Sequence, residues 1–208
     1  FLSFMVPIFW LINNVSFQSF NSINTILNAS FHSFKVAFIG AFVIISFATF
    51  IIFTKRVFKI NILSFIINFS KIGYAAPGIV IAIGVISPSI FVDKQINYFF
   101  SYFGKDIGLI LSGSIAILIF AYLVRFLSVA FNPIESGLEK ISEKIDYSAL
   151  NLGANKKTLL FKIHLPMIIS SCLIAFLLIF IDILKELPIT LILRPFNYNT
   201  LSVLTFEY

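Results

Sequence analysis

The apolar positions of this chain gather into long runs with short polar breaks between them, and do not follow the spacing of an amphipathic soluble protein. A helix that crosses a bilayer needs about 20 consecutive, mostly apolar residues. Four runs come up to that length, at residues 29–53, 72–90, 108–131 and 166–184. The opening stretch from Phe1 to Ile12 is shorter, lacks an initial Met and has no basic segment or cleavage site around it. It therefore reads as the end of a preceding helix and not as a signal peptide. With the uncharged polar segment Asn13 to Asn28, residues 1–28 are expected to form that helix end and a periplasmic loop. The expected fold class is all-α, a polytopic membrane helical bundle incomplete at both ends.

Composition excludes the soluble alternative. The chain is 59% hydrophobic and 12% charged, against about 45–50% and about 25% for soluble domains. Its net charge of +6 fits basic residues held in cytoplasmic loops better than a nucleic-acid surface, so lipid is an expected partner and nucleic acid is not. The charges are unevenly placed. Lys55, Arg56, Lys59 and Lys71 precede the second run without any acidic residue, which assigns that connection to the cytoplasm of a bacterial inner-membrane protein. The connection Phe91 to Ile107 balances Asp93 and Asp106 against Lys94 and Lys105. It carries Tyr98, Phe99, Phe100, Tyr102 and Phe103, an interfacial aromatic belt expected on the periplasmic side. Alternation then puts the long polar stretch Asn132 to Leu165 inside and the tail after Leu184 outside. Arg125, near the end of its run, is expected to snorkel to the headgroups.

Catalytic chemistry is not indicated. The single Cys172 excludes a disulfide framework and a Cys/His metal cluster. There is no HExxH, no GxSxG and no nucleotide-binding glycine loop. The chain therefore reads as a non-enzymatic membrane subunit with no catalytic residues and no cofactor of its own. Two features could carry transport. Gly73, Pro77, Gly78 and Gly84 in KIGYAAPGIVIAIGV could break a helix so that it lines a pathway, with Tyr74 and Pro77 on it, or could simply let helices pack closely. Asp182, Lys185 and Glu186 end the last apolar run, where ionisable groups are costly enough to suggest a path or a docking surface. Alternatively Asp182 and Lys185 pair on one helix face, and Glu186 and Arg194 are solvated.

The segment IDYSALNLGANKKTLLFKIHLP, Ile145 to Pro166, has a glycine suited to ending a helix, a second amphipathic pattern from Lys156 to Ile163, and a proline suited to opening the next span. An interfacial amphipathic helix would look similar. The order A-x3-G-x9-I-x-L-P at Ala149, Gly153, Ile163, Leu165 and Pro166 resembles the EAA signature of ABC-importer permeases. In that family the loop is a cytoplasmic coupling helix docked in a cleft of a separate ATPase. The resemblance assigns this role to Asp146, Tyr147, Ser148, Ala149, Leu150, Gly153 and Ala154, closed by Pro166. Tyr147 and Ser148 replace the family's Glu and first Ala, and the nearest acid is Asp146.

Ile181 to Tyr208 is similar to ferric iron permeases, chiefly through Lys185 to Pro188 and Leu193 to Phe196. Together the resemblances cover roughly Ser30 to Tyr208. They imply a methionine-importer-like transmembrane domain over 29–208, the C-terminal half of a permease with two repeated halves, lacking its closing helix. The implied partners are an ATPase carrying ATP and Mg, a periplasmic binding protein and a second permease half or subunit. Thiamine, polyamine, phosphate and molybdate permeases share the loop. A passive channel or structural membrane subunit would share only the hydropathy.

Overall fold

The computed structural model of the chain describes residues 2–14, 23–104 and 107–207. Residues 15–22 of the polar segment, and Lys105 and Asp106 of the balanced connection, lie outside the described residues. The first helix, α1, spans Leu2–Asn14. The second, α2, runs unbroken from Ile23 to Phe58, longer than the apolar run 29–53 that predicts it. Along α2 the buried positions recur at intervals of three and four and are mostly small: Ala29, Ser33, Ala37, Gly40, Ala41 and Ala48. Phe31, Phe34, Phe42 and Phe50 stand exposed on the other side. In lipid, apolar burial does not drive helices together, so close backbone approach along a small-residue stripe takes over that role.

That stripe receives α5 (Ile115–Glu139) and α8 (Leu165–Lys185). Helix α5 is the hub. It also packs against α3 (Asn61–Ala75), α4 (Gly78–Ser101) and α9 (Pro188–Leu193). Ser114 caps it, accepting a hydrogen bond from Ile117 N–H, and Leu118, Ala121, Ala130 and Ile134 are fully buried. Among the described residues, four helical stretches are long and apolar enough to cross a membrane: Ile23–Phe58, Gly78–Ser101, Ile115–Glu139 and Lys156–Lys185. The described chain is a multi-pass helical membrane bundle.

The helix boundaries differ from the hydropathy runs at other points too, and α5 begins at Ile115, seven residues after its run does. The run 72–90 is interrupted at Ala76 and Pro77, both extended (ψ 140° and 138°), because a proline disfavours helical backbone at the residue before it. Helix α4 restarts at Gly78 and continues past Ile90 to Ser101, so Asp93 is helical and fully buried. Its carboxylate accepts from the Ile110, Leu111 and Ser112 N–H groups and from the Ser112 hydroxyl, which ties down the segment leading into α5. The stretch 132–165 is largely helical: the end of α5, then α6 (Glu143–Asn151), then α7 (Lys156–Thr158) running into a π-helical turn at Leu159–His164.

Pro166 stands in the first turn of α8, as expected, but the π turn ahead of it joins α7 to α8 without a break, with Leu165 N–H reaching Leu160 O. Proline has no N–H for the carbonyl four residues back, and its ring pushes that carbonyl away, which a π turn accommodates. Beyond Lys185 the chain folds back on the bundle. Glu186 takes an extended conformation and ends α8, α9 turns back against α4 and α5, and α10 (Leu201–Glu207) packs on the start of α2. There Leu201 N–H donates to Ser33 Oγ at 2.7 Å, and Tyr198 stacks on His32 at 4.2 Å.

The glycines separate packing from pathway. A Cβ on Gly73 would stand 2.3 Å from Val124 O, and one on Gly137 would stand 2.3 Å from Ser171 Oγ, whereas one on Gly84 meets nothing within 4 Å. Gly73→Ala is expected to cost about 1–3 kcal/mol by overpacking against backbone, while Gly84→Ala is neutral or mildly stabilising. Thermal unfolding of the detergent-solubilised protein checks this, and equal melting temperatures for the two variants would contradict the α3–α5 contact.

Candidate functional site

The EAA-like segment folds as a short helix and a turn at the basic end of the bundle. Helix α6 is capped by Ser142, whose side chain accepts from Lys144 N–H. It ends at Gly153, whose φ of +86° is a left-handed value that glycine adopts at little cost. Asn155 then caps α7 through Thr158 N–H. Along α6 Tyr147, Ser148 and Leu150 are exposed, Ala149 is half-buried and Asp146 is buried. Leu152, in the exit turn, is 88% exposed, and Ala154 is half-buried.

Asp146 does not point outward. Its Oδ2 accepts from Arg56 Nε and its Oδ1 from His164 Nε2, each at 2.7 Å. Arg56 also donates to Leu138 O and to Ile141 O, carbonyls of the last turn of α5 and the corner that follows it. The side chains are 12% exposed for Arg56, 12% for Asp146 and 1% for His164. Two further pairs flank this node: Lys55 to Glu135 at 2.6 Å and Lys59 to Glu143 at 3.5 Å. Hydrogen bonding to the Tyr147 hydroxyl, reinforced by Glu143, holds the Lys59 ammonium above the usual lysine range. Three of the four bases of that connection, Lys55, Arg56 and Lys59, thus have acidic partners on α5 and α6, while Lys71 donates to Asn68 Oδ1.

A second polar cluster sits inside the bundle, where two helix breaks meet. Arg125 is the eleventh residue of the 25-residue α5, about 15 Å along it from the nearer end at 1.5 Å per residue. Its side chain is 19% exposed and faces Glu186 Oε2, 3.5 Å from Nε. It does not snorkel. The extension of α5 to Glu139 puts it mid-helix and turns it towards the α8–α9 elbow. Arg125 Nε and Nη1 are buried and make no hydrogen bond. Gly78 presses on this pair: a Cβ there would stand 2.4 Å from Arg125 Nη1 and 2.6 Å from Glu186 Oε1. Alongside, Tyr122 OH lies 2.6 Å from Thr190 Oγ1, which donates to Glu186 O at 2.6 Å.

Of the sequence-predicted path residues, Glu186 lies here, against Gly78, the residue that follows Pro77. Lys185 is exposed and Asp182 half-buried, and no ion pair joins them among the described residues. Glu186 is 7% exposed and not solvated, and Arg194 is engaged by Glu207 and Asn199. Tyr74 opens on a different cavity, of about 360 Å³, beside Lys71, Ser128 and Asn132. Sequence reasoning missed Arg56, His164, Tyr122 and Thr190 and misplaced Arg125. A basic residue inside an apolar helix was the available signal for Arg125, and the histidine within the I-x-L-P segment was the one for His164.

Apolar helices interrupted at depth by a Pro-Gly break and a charged elbow are features that membrane transport proteins share. The particular likeness is to the Fe(3+)-transport system permease protein FbpB 2 of Haemophilus influenzae, which is 27% identical over 211 residues. The alignment takes in the whole of this chain and 39% of that protein's length, so the chain spans about two fifths of the relative it matches. No family model matches the chain. This similarity, over all of the chain, agrees with the resemblance to ABC-importer permeases of the ferric iron type.

Removing one member of a buried ion pair strands the other charge, at a cost of about 3–5 kcal/mol, whereas replacing both is often close to neutral. Arg125→Leu and Glu186→Leu are each expected to destabilise the bundle more than the double variant does. Melting temperatures of the three proteins in detergent test the pairing, and additive losses would contradict it.

Proposed function

We propose that the chain is part of the membrane-spanning permease of an ATP-binding-cassette importer of the bacterial inner membrane, carrying ferric iron delivered by a periplasmic binding protein. ATP hydrolysis, with its Mg, belongs to a separate ATPase subunit, and a second permease half or subunit completes the path. One observation carries this reading. The segment with the EAA-like spacing is a short helix at the basic end of the bundle, with Tyr147, Leu150 and Leu152 turned outward. An apolar face outside the main helix bundle calls for a protein partner, and the ATPase cleft supplies one. Ala149 and Gly153 shape the helix and its exit, and the bases Lys55, Arg56 and Lys59 support a cytoplasmic position for this end.

Iron as the cargo rests on the relative's name and on the Lys185 to Phe196 resemblance. Asp182, Lys185, Glu186, Tyr74 and Pro77 act in this reading as path or docking groups. Hard oxygen ligands suit a hard cation, but Lys185 repels one, and among the described residues no group of three or more His, Cys, Asp or Glu could hold a metal. Tight recognition is therefore assigned to the binding protein.

Two experiments test the proposal. Gly153→Asp and Ala149→Trp are expected to abolish ATPase co-purification and uptake while membrane insertion persists. Normal transport by both would refute the coupling assignment, and labelling of a cysteine at position 156 from the outside would overturn the orientation. For the cargo, radiolabelled ferric iron uptake is measured in cells expressing the complete transporter, with Glu186→Gln and Lys185→Met as variants. Unchanged uptake in both removes those residues from the path, and import of thiamine or a polyamine in place of iron removes the substrate while the importer reading stands.

A further inference from the structure

We infer that Arg56 and His164 are positioning residues that act through Asp146 to make α6 move as one piece with α2, α5 and α8. This deepens the proposed function and rests on α6 being the coupling helix. Nine residues are too few for a helix to hold itself in water, so α6 is as rigid as its attachments. Its exposed pair with Lys59 contributes little. The buried attachment is Asp146, and both of its carboxylate oxygens are occupied from within the chain. The acid nearest the family's signature position is therefore committed inward, and docking is left to the outward face bearing Tyr147 and Leu150.

The chemistry of the node fits transmission of movement. Arg56 ends α2, and its planar fork ties the Asp146 carboxylate to the Leu138 and Ile141 carbonyls at the exit of α5. Leu138 O already accepts from Ile141 N–H in the turn that closes α5, so Arg56 adds a charged donor to a helix end. His164 lies in the π turn that leads into α8, edge-on to Phe53 at 5.5 Å. A carboxylate only accepts, so His164 Nε2 donates, and His164 Nδ1 is left buried without a partner. A stranded polar atom is a cost that an apolar residue would avoid. Its presence at the junction of three elements points to a role beyond stability. Charge-assisted bonds at 2.7 Å from two helices hold α6 more tightly than apolar contact would.

The test uses the complete transporter in liposomes, with ferric iron on the binding protein as the probe. The variants are Asp146→Asn, Arg56→Lys, His164→Leu and the conservative His164→Gln, whose amide can still donate to Asp146. In the first three, affinity for the ATPase subunit is expected to stay within about twofold. Iron moved per ATP hydrolysed falls about tenfold or more, the size of a typical coupling free energy, and His164→Gln recovers most of it. If Asp146→Asn does not accumulate in the membrane, the His164→Leu and His164→Gln pair decides. An unchanged ratio in Arg56→Lys and His164→Leu overturns the inference, as does a loss of ATPase affinity that tracks the loss of uptake. A wild-type complex that binds no ATPase instead sinks the proposed function. If it binds ATPase but imports no iron, only the cargo is refuted, and ATP turnover stimulated by the binding protein serves as the readout.

Discussion

The bond between Arg56 and Asp146 is the contact on which the basic end of this protein depends. A membrane helix satisfies its own backbone, but where it ends near the interface its last carbonyls have neither helix nor reliable water. One guanidinium at the end of α2 answers this for the exit of α5 and at the same time neutralises a buried carboxylate on α6. His164 brings α8 to the same carboxylate. Without this node α6 would be an amphipathic turn on the membrane surface, and its exposed apolar side chains would have no defined direction.

The interior of the bundle follows a different logic. Its helices gain little from apolar burial, because lipid is as apolar as they are. They hold together where small residues admit close contact, as Ala37, Ala41 and Ala48 do on α2, and where Gly73 and Gly137 let α3 and α8 approach α5. Against that close-packed background the cluster of Arg125, Glu186, Tyr122 and Thr190 is the exception. It sits where α3 gives way to α4 and α8 gives way to α9, and its guanidinium keeps nitrogens without hydrogen-bond partners. In the proposed reading, this under-satisfied charge at two chain breaks is where the path would open.

Much was legible in the amino-acid sequence because the bilayer imposes a length. The four spans, the all-helical class, the helix–turn character of Ile145 to Pro166 and the glycine that ends α6 follow from run lengths and from the backbone demands of glycine and proline. Charge counting also grouped Lys55, Arg56 and Lys59 in one connection. What hydropathy could not see was helix continuing through polar sequence. Residues 132–139 are helical despite their composition, and within them Glu135 is paired by Lys55. Arg125 was misplaced for the same reason, since a helix end put eight residues too early makes a central arginine look peripheral.

The sequence by itself thus determined that the chain lives in a membrane, how many times it can cross, and which short helix resembles a coupling element, because each of these is set by local length, periodicity and spacing. Only the tertiary structure decided that Asp146 faces inward to Arg56 and His164, that Arg125 meets Glu186 beside Gly78, and that the chain after Lys185 folds back on α4 and α2. Those pairings join residues as far as 168 positions apart. A hydrogen-bond partner at that separation is chosen by helix packing and by the cost of leaving a polar group unpaired, neither of which is encoded in any local window.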